Sequence, residues 1–383
     1  MRIAIFTDTF FPQVNGVAKS LKRYSDYLLQ KGHTVEIFAP ELEGSNTYPY
    51  VHQFMSIPFF IYPECRTALA LPNTILERVE AFSPDLIHVA TPLTMGVLGS
   101  HAAKKLHIPI ISSYHTHFDQ YLDYYKLSWI SPILWRYLKW FYSSSERIFV
   151  PSKETLTHLQ TKGFTNLSIW SRGVDCSLFH PSNQTVNIRE QYNIRAPYIL
   201  LYVGRLAPEK DLLTLQKIIE YFSKKWKESV HWLIVGDGPS FGEISSLLNE
   251  STNITMTGYL SGNELASCYA ASDLLVFPSQ TETFGNVVLE ALASGTPAIV
   301  SNRGGVSGIV EHNETGKICR AGDYQDFIKQ TEQLLTNKVS RLIMGKNARE
   351  YALKQTWEGI FDDLINECKR TIKQRLVTLK KNA

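Results

Sequence analysis

Short apolar runs alternate along the chain with stretches whose apolar positions recur at helical spacing. Residues 2–7 have the pattern of a β-strand, residues 18–30 that of an amphipathic helix, and residues 34–39 that of a second strand. Strand, helix and strand within about 40 residues make a βαβ unit, which implies a parallel sheet covered by helices. The alternation starts again at residues 198–204. The pattern therefore predicts an α/β protein whose second half repeats the architecture of the first.

The composition narrows the class of protein. The chain has 383 residues, of which 44% are apolar and 20% charged, which is typical of an ordered protein of two or three domains. A net charge of +3 is too small to indicate a nucleic-acid partner. No run of about 18 apolar residues occurs and the start lacks a signal-peptide pattern, so we expect a cytoplasmic protein without a membrane span. The cysteines lack the spacing of a zinc site and are expected to be free thiols: Cys65, Cys176, Cys268, Cys319 and Cys368.

The stretch 282–297, ETFGNVVLEALASGTP, carries the strongest candidate chemistry. It follows an apolar run at residues 273–277 that ends in a Pro–Ser turn, and its own apolar positions predict a helix bounded by glycines. Free amides at a helix start attract anions, so a phosphate-bearing ligand fits there. Glu282 precedes the helix and Glu290 lies about two turns further on, where it can reach a second part of the same ligand. Two solvated surface carboxylates are the alternative.

Two cations flank the loop after the strand at residues 198–204. Arg205 offers a fork of donors and Lys210 a point charge, so that both can converge on a diphosphate. A glycine turn follows the strand at residues 232–235, but Phe241 stands where the dinucleotide-binding pattern GxGxxG has its third glycine. This difference argues against a dehydrogenase.

Gly16 follows the first predicted strand. Ligands of parallel sheets gather at the carboxyl ends of the strands, and a residue without a Cβ lets the backbone come close to a ligand. A purely structural turn glycine is the alternative at this position.

Two other stretches have the composition of a membrane-surface contact. Residues 121–142 are rich in Tyr and Trp interleaved with Lys and Arg, which suits a lipid interface but also a packed helix pair. After Glu367 the chain carries six basic residues and no acid, which fits anionic head groups or simply a solvated tail.

Glu282 and Glu290 are separated by seven residues and followed by ALASGTPAIVS and Gly304–Gly305. This arrangement resembles the signature of the retaining glycosyltransferases of family four, also described as glycosyl transferases group 1. The resemblance implies an α/β protein of the GT-B fold, with two Rossmann-like parallel-sheet domains facing a central cleft. It also implies transfer of a sugar from a nucleotide-diphosphate donor. The strings FTDTFFPQVNGV, HTHFDQYLDYYK and WSRGVDCSLFHP look most like members that glycosylate diacylglycerol-type lipids.

The resemblance also assigns roles to residues. Catalysis is assigned to His115, Glu282, Arg205 and Lys210. Donor binding is assigned to Gly16, Arg205, Lys210, Gly236, Glu282, Phe284, Gly285, Asn286, Val287 and Glu290. Acceptor contacts are assigned to Asn15, His117, Tyr121 and Arg172. Glu282 is expected to hold sugar hydroxyls and Glu290 the ribose, while the cations stabilise the departing phosphate without a metal ion or a cofactor.

We expect an acceptor-binding domain at residues 1–182, joined by the C-terminal helix 358–383, and a nucleotide-sugar domain at residues 188–357. Residues 181–187 are the linker candidate. The expected reaction moves glucose or mannose from a UDP- or GDP-sugar to an acceptor hydroxyl, with a membrane lipid such as diacylglycerol favoured and a position on the inner face of the membrane. A polysaccharide or soluble acceptor is the alternative within the class. A sugar-nucleotide epimerase or a non-catalytic nucleotide-binding protein is the alternative outside it.

Overall fold

The computed structural model describes residues 1–13, 15–41, 48–58, 66–117, 119, 122, 128–183, 185–248 and 252–382. The strands are β1 Arg2–Phe6, β2 Thr34–Pro40, β3 Val51–Phe54, β4 Ser56–Pro58, β5 Arg66–Ala68, β6 Leu86–Val89, β7 Ile110–Ser113, β8 Arg147–Val150, β9 Leu167–Ile169, β10 Tyr198–Val203, β11 Val230–Val235, β12 Ile254–Gly258, β13 Leu274–Phe277, β14 Ala298–Ser301 and β15 Gly316–Cys319. The α-helices are α1 Gly16–Gln30, α2 Pro72–Phe82, α3 Thr94–Lys105, α4 Ser131–Tyr142, α5 Lys153–Thr161, α6 Ile188–Gln191, α7 Leu212–Lys225, α8 Phe241–Leu248, α9 Gly262–Ala271, α10 Asn286–Ala293, α11 Tyr324–Thr336, α12 Lys338–Ala352 and α13 Trp357–Asn382. Short 3₁₀ turns lie at Ser128–Ile130, Pro208–Lys210 and Gly305–Gly308.

The chain divides into two compact units. The first comprises Met1–Leu122, Leu127–Ser171 and Glu358–Ala383, and the second includes Arg172–Trp357. Each unit has its own sheet and its own hydrophobic core.

Both large sheets are parallel, and the six strands of the second follow the same order as the first six of the seven-stranded first sheet. The first has the order β3-β2-β1-β6-β7-β8-β9, with a separate antiparallel pair β4-β5, and the second has the order β12-β11-β10-β13-β14-β15. The order reverses between β1 and β6 in the first sheet and between β10 and β13 in the second. Such reversal points are where open α/β sheets bind ligands, outside the carboxyl ends of the strands. The expectation of two Rossmann-like parallel sheets is confirmed.

Strand β1 and helix α1 show why the first unit forms. Four of the five residues of β1 are buried, since helices cover both faces of a parallel sheet. In α1 the buried side chains include Leu21, Tyr24 and Leu28, which recur at helical spacing. The helix begins at Gly16, two residues before the predicted start, because the side chain of Asn15 caps it.

The boundary between the units differs from the sequence expectation. We placed residues 172–182 in the first domain, whereas they belong to the second unit. The reason is Arg349, whose guanidinium donates hydrogen bonds to the carbonyl oxygens of Cys176 and Phe179 at 2.9 and 2.7 Å. The segment proposed as a linker is also attached to this unit, because the Val186 amide donates to Ser267 Oγ at 3.2 Å.

Four of the cysteines have free thiols: Cys176, Cys268, Cys319 and Cys368. Cys65 lies outside the described residues. Within the described part of the chain, no helix is both long enough and apolar enough to cross a membrane.

Candidate functional site

Two loops meet at the reversal point of the second sheet. One follows β10 and the other follows β13, and these strands are parallel neighbours, so their carboxyl ends lie side by side. Thr281 Oγ1 donates to the carbonyl oxygen of Glu209 at 2.9 Å, and Gln280 Nε2 donates to Asp211 Oδ2 at 2.8 Å. These bonds hold the two loops together at the place where a ligand is expected.

Lys210 and Glu282 form an ion pair between these loops. Lys210 Nζ lies 2.5 Å from Glu282 Oε1, with the two side chains 12% and 20% exposed. Burial opposes the charged ammonium, but the charge and hydrogen bond of Glu282 outweigh it, so the pKa of Lys210 is raised. Lys210 is therefore a permanent cation beside the loop that precedes α10.

Arg205 lies on the same loop as Lys210, next to the buried carboxylate of Glu209. Its Nη1 is 3.9 Å from Oε1 of Glu209, which is buried, while the guanidinium itself is partly exposed. The Tyr202 hydroxyl donates to the Arg205 carbonyl oxygen at 3.3 Å and fixes the backbone at the start of the loop. Sequence reasoning missed Glu209; its only signal was an acid next to Lys210 in a loop assigned to anion binding.

Two glycines of the site are required by close contacts. Gly236 has φ +144°, and a Cβ there would lie 1.9 Å from the Gly204 carbonyl oxygen, because the turns after β10 and β11 touch. Gly285 has φ +105°, and its Cβ would lie 2.4 Å from Val306 Cγ1. Both positions therefore exclude any side chain.

Helix α10 begins directly after Gly285, as the sequence predicted. Its first turn contains Asn286 and Val287, both half-buried, and Phe284 packs into the core before it. The leading amides of a helix have no intrahelical acceptor, so this end of α10 offers donors to an anion. Further along, Glu290 Oε2 accepts a hydrogen bond from the hydroxyl of buried Tyr269 at 2.9 Å.

The glycine pair Gly304–Gly305 supports the loop that carries Glu282. The Gly305 amide donates to the Glu282 carbonyl oxygen at 2.6 Å. A Cβ on Gly305 would lie 2.3 Å from the Thr283 carbonyl oxygen. These glycines therefore let a second backbone segment lie directly against the site loop.

In the first unit, Asn15 and Gly16 lie at the start of α1. Asn15 Oδ1 accepts from the Ala18 amide at 2.8 Å, and its Nδ2 donates to Thr9 Oγ1 at 2.7 Å. Asn15 thus has a structural role as a helix cap, and its assignment to the acceptor stays a prediction.

Asp8, which sequence reasoning did not single out, joins the loops after β1 and β6. Its carboxylate accepts from the hydroxyls of Thr91 and Thr94 at 2.7 and 3.0 Å and from the Met95 amide at 2.8 Å. Burial raises the pKa of Asp8, and these bonds act against that rise.

The histidines assigned to the loop after β7 differ in burial. His115 is half-buried, with its ring centroid 5.4 Å from that of Trp170. His117 is 1% exposed, its Nε2 lies 3.1 Å from Thr155 Oγ1, and burial lowers its pKa to about 4.

Tyr121 lies outside the described residues. Arg172 belongs to the second unit and is buried, which lowers its pKa to about 10. The acceptor roles of His117 and Arg172 stay predictions.

The sheet order and the cationic loops at its reversal point define a doubly wound α/β protein suited to an anionic ligand. Residues 14–178 match the family model described as Glycosyltransferase Family 4, and residues 184–351 match that described as Glycosyl transferases group 1. The chain belongs to this family of glycosyltransferases.

Relatives extend over nearly the whole chain. A GDP-mannose-dependent alpha-mannosyltransferase of Mycolicibacterium smegmatis is 30% identical over 98% of this chain and 99% of its own length. An alpha-monoglucosyldiacylglycerol synthase of Streptococcus pneumoniae is 30% identical over 98% of this chain and 90% of its own length. The structure of a sucrose-phosphate synthase from Thermosynechococcus elongatus superposes with a TM-score of 0.77 at 21% identity, covering 98% of this chain and 100% of that one. The predicted GT-B fold is confirmed.

Proposed function

We propose that this enzyme is a retaining, metal-independent hexosyltransferase that moves glucose or mannose from a UDP- or GDP-sugar to a membrane lipid such as diacylglycerol. The observation that carries this proposal is the Lys210–Glu282 pair beside the start of α10, which joins a cation for a diphosphate to a carboxylate for a sugar. The names of the two relatives, which include a mannosyl and a glucosyl-diacylglycerol enzyme, support the substrate class.

In the proposed reaction, the bond between the anomeric carbon and the phosphate oxygen breaks, and its electron pair leaves with the diphosphate. The acceptor hydroxyl oxygen bonds to the anomeric carbon, and its proton passes to the departing diphosphate oxygen. Negative charge grows on the departing oxygen, where Arg205, Lys210 and the amides at the start of α10 stabilise it. These groups stabilise the negative charge that a bound metal ion stabilises in other phosphate-transfer sites.

The lipid acceptor is supported by an exposed face of α4 and the turn before it. Trp129, Ile133 and Trp140 are 73%, 62% and 61% exposed, and Arg136 lies between them at helical spacing. Aromatic and basic side chains on one helix face suit the interface of an anionic membrane. The opposite face packs into the core of its unit: Leu138, Phe141 and Tyr142.

The basic C-terminal helix contributes less charge than its sequence suggests. Arg370 Nη1 is 2.6 Å from Glu367 Oε1, and Arg375 Nε is 3.6 Å from Glu146 Oε1. Lys369 remains exposed, as does Lys373. We therefore assign membrane attachment mainly to the exposed face of α4.

Incubation with labelled UDP-glucose or GDP-mannose and extracted lipid tests the proposal. We expect label in the lipid fraction only when lipid is added. Label in a soluble acceptor or a polymer would reject the lipid assignment, and an altered donor sugar without any acceptor would indicate an epimerase. A Lys210→Ala variant, in which transfer should collapse, is the negative control.

Vesicle sedimentation tests the attachment surface. A Trp129→Ala/Trp140→Ala variant should bind anionic vesicles more weakly than wild type, since two interfacial side chains are lost. Leu213→Ala, which removes an equally exposed apolar side chain from the second unit, should bind like wild type. Equal binding by all three proteins would exclude the α4 face as the contact.

A further inference from the structure

Three potential metal ligands converge in the first unit. They are His117 and Asp119, after β7, and His158 in α5, and their ligand atoms all lie within 4.8 Å of one another. His158 Nε2 is 3.0 Å from Asp119 Oδ2, and His117 Nδ1 is 4.0 Å from Asp119 Oδ1. The set is two imidazoles and one carboxylate.

The hydrogen bonds around His117 are compatible with a tautomer that carries its proton on Nε2. Its Nε2 lies 3.1 Å from Thr155 Oγ1, and that oxygen lies 3.0 Å from Ser152 Oγ. Ser152 Oγ already accepts from the Thr155 amide at 3.2 Å. A consistent network has the His117 Nε2–H donating to Thr155, whose hydroxyl donates to Ser152. With the proton on Nε2, His117 Nδ1 carries a lone pair.

No hydrogen-bond donor in the described part of the chain faces His117 Nδ1. His117 Nδ1 is buried and has no hydrogen-bond partner among the residues that the structure describes. The nearest carboxylate oxygen, at 4.0 Å, is too far for a hydrogen bond, so a proton on Nδ1 would not join the two groups. A buried lone pair that faces a carboxylate oxygen across this gap is satisfied by a cation that binds both.

The separations suit one small ion. Ligands at about 2.0–2.2 Å from a tetrahedral Zn²⁺ lie roughly 3.3–3.5 Å from one another. The distances from Asp119 to His158 Nε2 and to His117 Nδ1, 3.0 and 4.0 Å, fall on either side of this range. Imidazole nitrogen and carboxylate oxygen are common zinc ligands, and a ligating His usually donates its other N–H to an outer partner. Thr155 Oγ1, 3.1 Å from His117 Nε2, is placed to accept such a bond.

We propose that His117, Asp119 and His158 bind one Zn²⁺, with water in the fourth position, and that the ion ties the loop after β7 to α5. Thr155 is the outer partner that orients His117. The ion has no part in the proposed donor chemistry, in which protein cations and not a metal stabilise the diphosphate. The sequence does not predict this cluster, because the chain has no CxxC or Cys/His spacing of the zinc type and the family resemblance assigns His117 to the acceptor.

Zinc titration of the full-length, untagged protein tests the proposal. After EDTA treatment and dialysis, wild type should take up one Zn²⁺ per chain and show a higher Tm with Zn²⁺ than without it. Asp119→Ala and His158→Ala should each weaken zinc binding by at least about 100-fold, and Thr155→Val by about 10- to 100-fold. His101→Ala removes an exposed histidine of the same unit and should leave binding unchanged.

Circular dichroism of each variant verifies folding, and His158 is the most informative substitution because its side chain is 27% exposed. Failure of wild type to take up Zn²⁺ saturably would overturn the proposal. So would uptake that survives intact in both Asp119→Ala and His158→Ala. The Tm of wild type with and without Zn²⁺ remains a valid test if a variant does not fold.

Discussion

Replacing Glu282 with glutamine should tighten the binding of free nucleoside diphosphate and slow glycosyl transfer in the same variant. Lys210 is bound to Glu282 at 2.5 Å, so a diphosphate must share or displace this carboxylate to reach the ammonium. Glutamine keeps the shape of the side chain and removes the competing charge.

The expected size of both effects follows from the geometry of the Lys210–Glu282 ion pair. Two unit charges 2.5 Å apart attract by roughly 6–7 kcal/mol at an effective dielectric constant of about 20. Desolvation of both groups and their partial exposure reduce the net value to about 1–2 kcal/mol. Release of that energy should tighten UDP or GDP binding by about 5- to 30-fold. Loss of a charge-assisted hydrogen bond to the sugar should lower kcat/KM by about 10- to 150-fold.

Calorimetry with UDP and GDP measures the first effect, and initial rates with the labelled donor measure the second. Glu264→Gln, which neutralises an exposed acid on α9 of the same unit, is the matched control and should change neither quantity. Unchanged or weaker nucleotide binding in Glu282→Gln would show that Glu282 and the diphosphate do not compete for Lys210. Tighter nucleotide binding without slower glycosyl transfer would instead show that Glu282 does not bind the sugar.

Three other predictions concern the second unit. Gly236→Ala should lower Tm by several degrees in a thermal scan because its Cβ meets a carbonyl oxygen at 1.9 Å, whereas Gly242→Ala, with open space around it, should not. Burial lowers the pKa of His231 from 6.5 to about 4, so the unfolded chain binds more protons in this range and stability falls as pH drops through it. His231→Gln should flatten this loss, of at most about 1.4 kcal/mol per pH unit, in Tm measured against pH. Tyr269→Phe removes the hydrogen bond to Glu290 and should raise the donor KM about fivefold with little change in kcat; an unchanged KM would exclude this role.

The sequence predicted those parts of the site that depend on the order of strands, loops and helices along the chain. Strand, loop and helix follow one another along the chain, and parallel sheets bring the loops after β10 and β13 to one edge. The positions of Arg205, Lys210 and Glu282 on these loops were therefore predictable. Their direct pairing was not, because it depends on which side chains meet across two loops far apart in the sequence.

The features that were missed depend on tertiary contacts between distant residues. Tyr269 reaches Glu290 from another helix, and Arg349 attaches residues 172–182 to the second unit. Neither contact leaves a periodic signal in the sequence. Residues 121 and 123–127 of the aromatic stretch lie outside the described residues. Residues 129–142 divide between core and surface, as helical spacing predicts once the direction of the core is known.

Alanine substitution of Arg205 and Lys210 tests the central claim most directly, namely that protein cations stabilise the departing diphosphate. Each single variant should lower kcat by about 100-fold or more, since a preorganised charge is lost where the transition state develops its own. Lys224→Ala, which removes an exposed cation from α7 of the same unit, should leave kcat unchanged. Glycosyl transfer at the wild-type rate in both Arg205→Ala and Lys210→Ala would contradict the account.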